Sequence, residues 1–240
     1  MEALILQHCK TLNLAHMAEI YGDVQADTTE EFFLKILDAE VKNRQINKVQ
    51  RLIKKAAFKQ IKTFEDYEKN ECITLPTSTT MSEIEDLIFL EKRQNIMMLG
   101  AVGTGKSHLA TAIGVRACHK GKNVRFFRVA DLVSKLLEKH HNGTLARFKR
   151  ELNKADIIIL DELGFIPFHQ DGSELLFDLI SECYESASVI VTSNLEFGQW
   201  NSVFGDNRLT AAIIDRLVHH AHILSFEGIS YRLKNALSKS

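Results

Sequence analysis

The chain has 240 residues, 45% of them hydrophobic and 25% charged, with a formal net charge of -1 at pH 7. Such a composition belongs to a soluble globular protein with one sizeable core and room for a small accessory domain. It offers no bulk charge for binding nucleic acid, so any such role must rest on local clustering. No apolar run approaches the roughly 20 residues needed to span a bilayer, and the start of the chain lacks the basic segment of a secretory signal. The four cysteines form no CxxC pair. The simplest reading is a reduced, cytoplasmic protein with neither a zinc site nor a disulfide framework.

Residues 1–70 read as a helical domain. Leu14, Met17, Ala18 and Tyr21 share one helical face. Thr28 and Glu31 have capping-box spacing ahead of Phe32, Phe33, Ile36, Leu37 and Val41, and the helical pattern continues to about Ile61. Residues 71–80, with Pro76 and a run of hydroxyl side chains, read as a linker. Ser82 and Glu85 offer a second capping box, opening a helix into Phe89 and Leu90. Residues 81–240 then alternate strands and helices. Strands are expected at 96–99, 124–127, 157–160, 189–191 and 222–226. Helices are expected at 107–120, from Asp131 to the break at Gly143, and at 145–152, 173–185 and 212–218. Alternation of this kind predicts an α/β fold with a parallel sheet between two layers of helices.

The most specific motif is the run Gly100, Ala101, Val102, Gly103, Thr104, Gly105, Lys106, Ser107. It fits GxxxxGK[ST] and lies between a strand and a helix. Its backbone N–H groups can turn inward around phosphate oxygens while Lys106 reaches the β- and γ-phosphates. Ser107 supplies a hydroxyl to Mg²⁺, and the following helix directs its positive end at the same anion. The apolar strand 157–160 ends in Asp161 and Glu162. Asp161 would hold Mg²⁺ through water, and Glu162 would act as general base on the attacking water. Asn194 ends the next strand, where it can meet the γ-phosphate or that water; a helix cap is the alternative reading. Arg216 and Arg208, two helical turns apart, are the candidates for a cation supplied to a neighbouring subunit, with local pairing to Asp215 or Asp206 as the alternative.

With these motifs together, the whole chain resembles the IstB-like ATPases, helper proteins of bacterial insertion sequences related to the helicase loader DnaC and the initiator DnaA. The resemblance is carried by residues 103–110, which include His108, by 161–164, 191–194, 215–217 and the Ser-Tyr-Arg at 230–232, and by 12–18 near the start of the chain. It implies an AAA+ three-layer sandwich with strand order 5-1-4-3-2 and an extra helical insertion at 131–152. ATP and Mg²⁺ are the implied cofactors. The resemblance adds His108 to the nucleotide-binding set and makes Asn194 the sensor-1 residue. It makes Arg216 the arginine finger of a neighbouring subunit and Arg232 a possible sensor 2. The loop departs from the family's common Gly-Pro-Pro-Gly by reading Gly-Ala-Val-Gly, and only eight residues follow Arg232, too few for a full helical lid. The implied partners are duplex DNA, a cognate transposase and further copies of the chain in a ring or spiral.

Between Lys42 and Lys62 there are eight basic residues and no acidic one. Arg44, Lys48, Arg51, Lys55, Lys59 and Lys62 recur at helical spacing as a stripe suited to DNA phosphates; a solvated helix face is the alternative. Lys139, Arg147, Lys149 and Arg150 form a second basic candidate group, with ordinary surface charge as its alternative. His219, His220 and His222 do not have metal-ligand spacing, and Phe126, Phe127, Phe165 and Phe168 are expected in the core. Three other functions fit the same loop: a helicase loader, a small-molecule kinase, and a nucleotide-gated binding module without hydrolysis.

Overall fold

A computed structural model of the chain describes residues 1–67, 73–184, 186–228 and 230–231. The chain divides into two compact units between Arg51 and Leu52. The sequence-expected linker lies later, at 71–80, so residues 52–67 fall with the sheet-containing unit.

The first unit is helical. It holds α1 (Glu2–Thr11), α2 (Ala15–Ile20) and most of α3 (Thr29–Ala56). At the start of α3, Thr28 Oγ1 accepts from the Glu31 N–H at 3.1 Å, while the Glu31 carboxylate reaches back to the Asp27 N–H at 3.0 Å. Both bonds satisfy N–H groups that a helix start leaves open. Inside the unit, Ile36 is fully buried, and buried Glu40 accepts from the Met17 N–H at 2.9 Å. That bond ties α3 to α2. The helix ends at Ala56, followed by Ala57 in the left-handed region (φ 62°), so it stops five residues short of the expected Ile61.

The second unit is built on a six-stranded sheet. Its strands are β1 (Ile73–Thr74), β2 (Asn95–Gly100), β3 (Val124–Arg128), β4 (Ile157–Leu163), β5 (Ser188–Ser193) and β6 (Ala221–Phe226). Their order is β1-β6-β2-β5-β4-β3. Counted from the strand before the phosphate loop, the five parallel strands stand in the expected order 5-1-4-3-2. The expected linker adds a detail: its Ile73 and Thr74 pair antiparallel with Phe226 and Ser225 as a sixth, edge strand.

Strand residues alternate between the two faces, and the two faces carry separate cores. Ile96, Met98, Ile157, Ile159 and Ile190 pack under α6 (Lys106–His119), with Ala56 and Phe58 from the segment before the sheet. Met97, Ile158, Leu160, Val189 and Val191 pack under α7 (Val129–His141), α9 (Gln170–Cys183) and α11 (Asn207–Val218). Burial on both faces explains why 157–160 is apolar at every position. Each such side chain contributes roughly 1.5–3 kcal/mol by leaving water. Buried Asn95 fixes the start of β2: its amide donates to Leu217 O at 3.0 Å and accepts from the Val189 N–H at 2.8 Å.

Several helix starts are earlier than their sequence signals. The capping box of α4 (Met81–Glu85) is made by Thr80 and Glu83, not by Ser82 and Glu85. Asp206 caps α11 by accepting from the Leu209 N–H at 2.7 Å. The insertion consists of α7 and α8 (Leu145–Leu152), with Asp131 in the first turn of α7 and not at its cap. No helix among the described residues is long and apolar enough to cross a membrane.

Candidate nucleotide-binding site

The phosphate loop joins β2 to α6 at the carboxyl edge of the sheet, where ligands bind in open parallel sheets. Two glycines there are required by geometry. Gly100 has φ 136°, and a Cβ on it would collide with the backbone carbonyl of Phe226 on β6. Gly105, at φ 95°, caps α6 in a left-handed conformation that side chains adopt at a cost. Lys106 is buried. Its Nζ donates to Gly100 O and Ala101 O at 2.6 Å each and to Thr104 Oγ1 at 3.3 Å. Thr104 in turn donates to Ala101 O at 2.8 Å. Burial pushes the Lys106 pKa down to about 8, with Asp161 pulling the other way. Ser107 is half-buried beside it, and Val102 is exposed at the loop tip.

Asp161 and Glu162 lie on β4 next to this loop, in a break of the β4–β5 ladder. Leu160 pairs with Val191 but Leu163 with Ser193, so β4 carries one extra residue. The bulge puts Glu162 at φ 61°, re-aiming its side chain as bulges do. Thr192 holds the arrangement. Its hydroxyl donates to Asp161 Oδ1 at 2.7 Å and accepts from the Glu162 N–H at 2.9 Å. Arg128 Nε, at the end of β3, lies 2.8 Å from Glu162 Oε2. The two charges are in contact, but the N–H is not aligned on the oxygen, so Nε makes no hydrogen bond. Asn194 follows β5, and its Oδ1 is buried without a hydrogen-bond partner. A hydroxyl and a lysine in the phosphate loop, with the Asp161 carboxylate on β4, two strands across, close enough to act on Lys106, suit a nucleotide phosphate with its divalent cation.

His108 directs Nε2 to Thr63 O at 3.1 Å and its ring to Tyr67 at 5.1 Å, so its side chain serves the segment before the sheet. Arg216 lies over the Phe177 ring at 4.6 Å and donates to Ala212 O at 3.2 Å, held against α9 of its own chain. Arg208 is exposed in the first turn of α11. Arg232 lies outside the described residues. Its neighbours bear on the loop: the Tyr231 N–H donates to Gly103 O at 2.9 Å, and a Cβ on Gly103 would meet the Ser230 side chain.

Of the basic candidates, Arg44, Lys48, Arg51 and Lys55 lie on α3, whereas Lys59 and Lys62 lie past its end. Arg44 is paired with Glu40 at 2.8 Å. On the insertion, Arg147 faces Glu151 at 3.7 Å, Lys139 faces Glu138 at 3.1 Å, and Arg150 donates to Ala146 O at 3.3 Å. Lys149 departs from the expectation. It is buried, and its Nζ bonds Asp178 at 2.5 Å and Glu182 at 2.8 Å, tying α8 to α9. A lysine so engaged is a structural tie and is not free to contact DNA. Phe165 departs as well: it is 58% exposed beside Ile166.

Sequence pattern did not single out Thr192, Arg128 or Tyr67. Thr192 sits inside the Val-Thr-Ser-Asn run and could have been noticed as a hydroxyl one strand from two acids. Tyr67 places a buried, unpartnered hydroxyl beside Gly105, and burial raises its pKa to about 12. Its placement depends on how residues 57–67 return over α6, which no local signal encodes.

Sheet order, phosphate loop and acidic strand end together define an AAA+ P-loop protein. The chain belongs to the family of IstB-like ATP binding proteins, whose family model matches residues 7–239. A protein of insertion sequence IS5376 from Geobacillus stearothermophilus, named for ATP binding, is 33% identical over 98% of this chain and 95% of its own length. One of insertion sequence IS21 from Pseudomonas aeruginosa, similarly named, is 36% identical over 85% of this chain and 77% of its own. Among solved structures, AMPPCP-bound DnaA from Aquifex aeolicus superposes with a TM-score of 0.57 at 22% identity, covering 74% of this chain and 54% of that one. The DnaC helicase loader gives 0.54 at 19% identity, covering 69% of this chain and 96% of that one. These two likenesses establish the fold.

Proposed function

We propose that the chain is an ATP hydrolase that assembles with copies of itself on duplex DNA and assists a transposase in selecting its target during insertion-sequence transposition. The observation that carries this reading is the convergence of the phosphate loop, Asp161–Glu162 and Asn194 at the ends of β2, β4 and β5, in a member of a family whose relatives are named for insertion sequences.

ATP would lay its phosphates on the loop N–H groups and the start of α6. Lys106 would exchange its bonds to the loop carbonyls for the β- and γ-phosphates. Ser107 and Asp161 fit Mg²⁺, which neutralises charge on the phosphates when bound. Asn194 would spend its unpartnered Oδ1 on the attacking water. Glu162 would accept the water's proton as the water oxygen bonds to the γ-phosphorus. The bond to the β–γ bridging oxygen then breaks, releasing ADP and phosphate. Arg216 of an adjacent copy, in a ring or spiral, would stabilise the γ-phosphate, with Arg208 as the other candidate. Arg44, Lys48, Arg51, Lys55, Lys59 and Lys62, with Lys139, Arg147 and Arg150, supply cations for DNA phosphates. The reading places the protein in the cytoplasm beside its DNA.

Glu162→Gln tests the chemistry. Removing a general base costs typically 10²–10⁴-fold in rate without removing a phosphate contact. Single-turnover measurement should therefore show ATP bound as tightly as in the wild type but hydrolysed at least about a hundredfold more slowly. Hydrolysis at the wild-type rate in this variant would reject Glu162 as the base. Retention of a replicative helicase by the chain, with no affinity for duplex, would instead favour a helicase loader.

A further inference from the structure

The acidic end of β4 is held by two neighbouring hydroxyls on β5. Thr192 and Ser193 are both buried, and consecutive strand residues point to opposite faces of a sheet. Ser193 Oγ donates to Leu163 O at 2.8 Å and accepts from the Leu195 N–H at 3.1 Å. It bonds backbone alone, across the gap that the extra residue of β4 opens in the ladder. Thr192 does more. It accepts from a backbone group, the Glu162 N–H at 2.9 Å, but its own proton goes to a side chain of the site, Asp161 Oδ1 at 2.7 Å. Closing the ladder does not require that second bond.

A hydroxyl has one proton to give. Thr192 gives it to the carboxylate that fits the cation and takes the N–H of the residue that fits the base. Both bonds run through one oxygen and reinforce each other, because chains of hydrogen bonds polarise their members. The bond to Oδ1 fixes the rotation of the Asp161 carboxylate. The bond from the Glu162 N–H holds that residue at φ 61°, a conformation that persists in a non-glycine residue only where its surroundings over-determine it.

We propose that Thr192 is a positioning residue for hydrolysis, setting the Asp161 carboxylate for Mg²⁺ and the Glu162 backbone for its work on the attacking water through one shared hydroxyl. The inference rests on the hydrolase reading and adds to it a residue that touches neither nucleotide nor cation. Ser193, equally buried one residue further on, has no such role.

Thr192→Val and Thr192→Ser in the full chain test the proposal. Valine keeps the shape and removes the hydroxyl, and serine keeps the hydroxyl. Mg²⁺ titration of the complex with a fluorescent ADP analogue reads the Asp161 bond. Thr192→Val should need about tenfold more Mg²⁺ for half-maximal effect, with affinity in the absence of Mg²⁺ unchanged. Single-turnover hydrolysis at saturating ATP and Mg²⁺ reads the Glu162 bond, and Thr192→Val should be slower by about tenfold or more. Thr192→Ser should stay close to the wild type in both. A wild-type Mg²⁺ requirement and rate in Thr192→Val overturn the proposal. So does an equal loss of affinity with and without Mg²⁺, which a merely structural hydroxyl would produce. A change in one readout alone overturns the sharing of the hydroxyl. If Thr192→Val does not fold, Thr192→Ser decides, and a loss there as large as that expected of Thr192→Val overturns the proposal. A wild type without turnover would reject the hydrolase reading, and the Mg²⁺ titration would still decide for or against the Asp161 bond.

Discussion

At the scale of single residues, the charge of Lys106 is open to pH. Burial brings its pKa down to about 8, with Asp161 holding it from falling further. Phosphate oxygens favour the charged form, so a nucleotide that engages Lys106 must find it protonated or supply conditions that protonate it. Below pH 8 the free protein already carries the proton; above pH 8 binding has to take one up. Nucleotide affinity is therefore expected to be flat up to about pH 8 and then to fall by up to about tenfold per pH unit. Titrating a fluorescent ATP analogue between pH 7 and 9.5 checks this, and a flat profile would separate Lys106 from the phosphates. The sequence pointed to the loop by the fixed spacing that phosphate binding demands, and to Asp161, Glu162 and Asn194 by their places at strand ends, which the fold brings to one edge of the sheet. It did not point to Thr192 or Arg128. Their roles follow from the extra residue in β4, and a bulge leaves no mark in an apolar run that ends in two acids.

Individual elements repeat the contrast between local and distant causes. The strand 157–160 announces itself as an unbroken apolar run and the amphipathic helices by their period, and the structure contains them. Boundaries are less legible. Capping moves to Thr80 because its hydroxyl and Glu83 satisfy each other. The edge strand Ile73–Thr74 is two residues long and has no period to detect; it exists because β6 offers it an open edge. The basic residues on the insertion show how tertiary pairing overrides composition. In Lys149, burial pulls the pKa down, but the bonds to Asp178 and Glu182 more than offset it, so the ammonium is held charged. Lys149→Ala should destabilise the second unit by about 1–2 kcal/mol, discounted because both carboxylates are partly exposed, and should leave DNA affinity unchanged. Thermal denaturation and a binding isotherm decide; a large loss of DNA affinity in a folded variant would return Lys149 to the DNA surface. On α3 the expectation is opposite. Arg51→Ala with Lys55→Ala should lower DNA affinity and reduce the slope of log K against log salt by about two. An unchanged slope would make this end of the helix a solvated face.

For the molecule as a whole, the net charge of -1 hides a segregation, with eight basic residues and no acidic one between Lys42 and Lys62. The parallel-sheet class was readable from alternation alone, and the strand order from the family's motifs. The division at Arg51 was not readable, because Ala56 and Phe58 join the sheet's core through contacts that only the folded chain makes. The central claim is that ATP held at this loop drives assembly on duplex DNA. Its most direct test is duplex binding with ATP, without ATP and in Lys106→Ala, with particles viewed by electron microscopy. Rings or spirals on duplex that require ATP and vanish in Lys106→Ala are the predicted result, and failure to bind duplex in every state would contradict the claim.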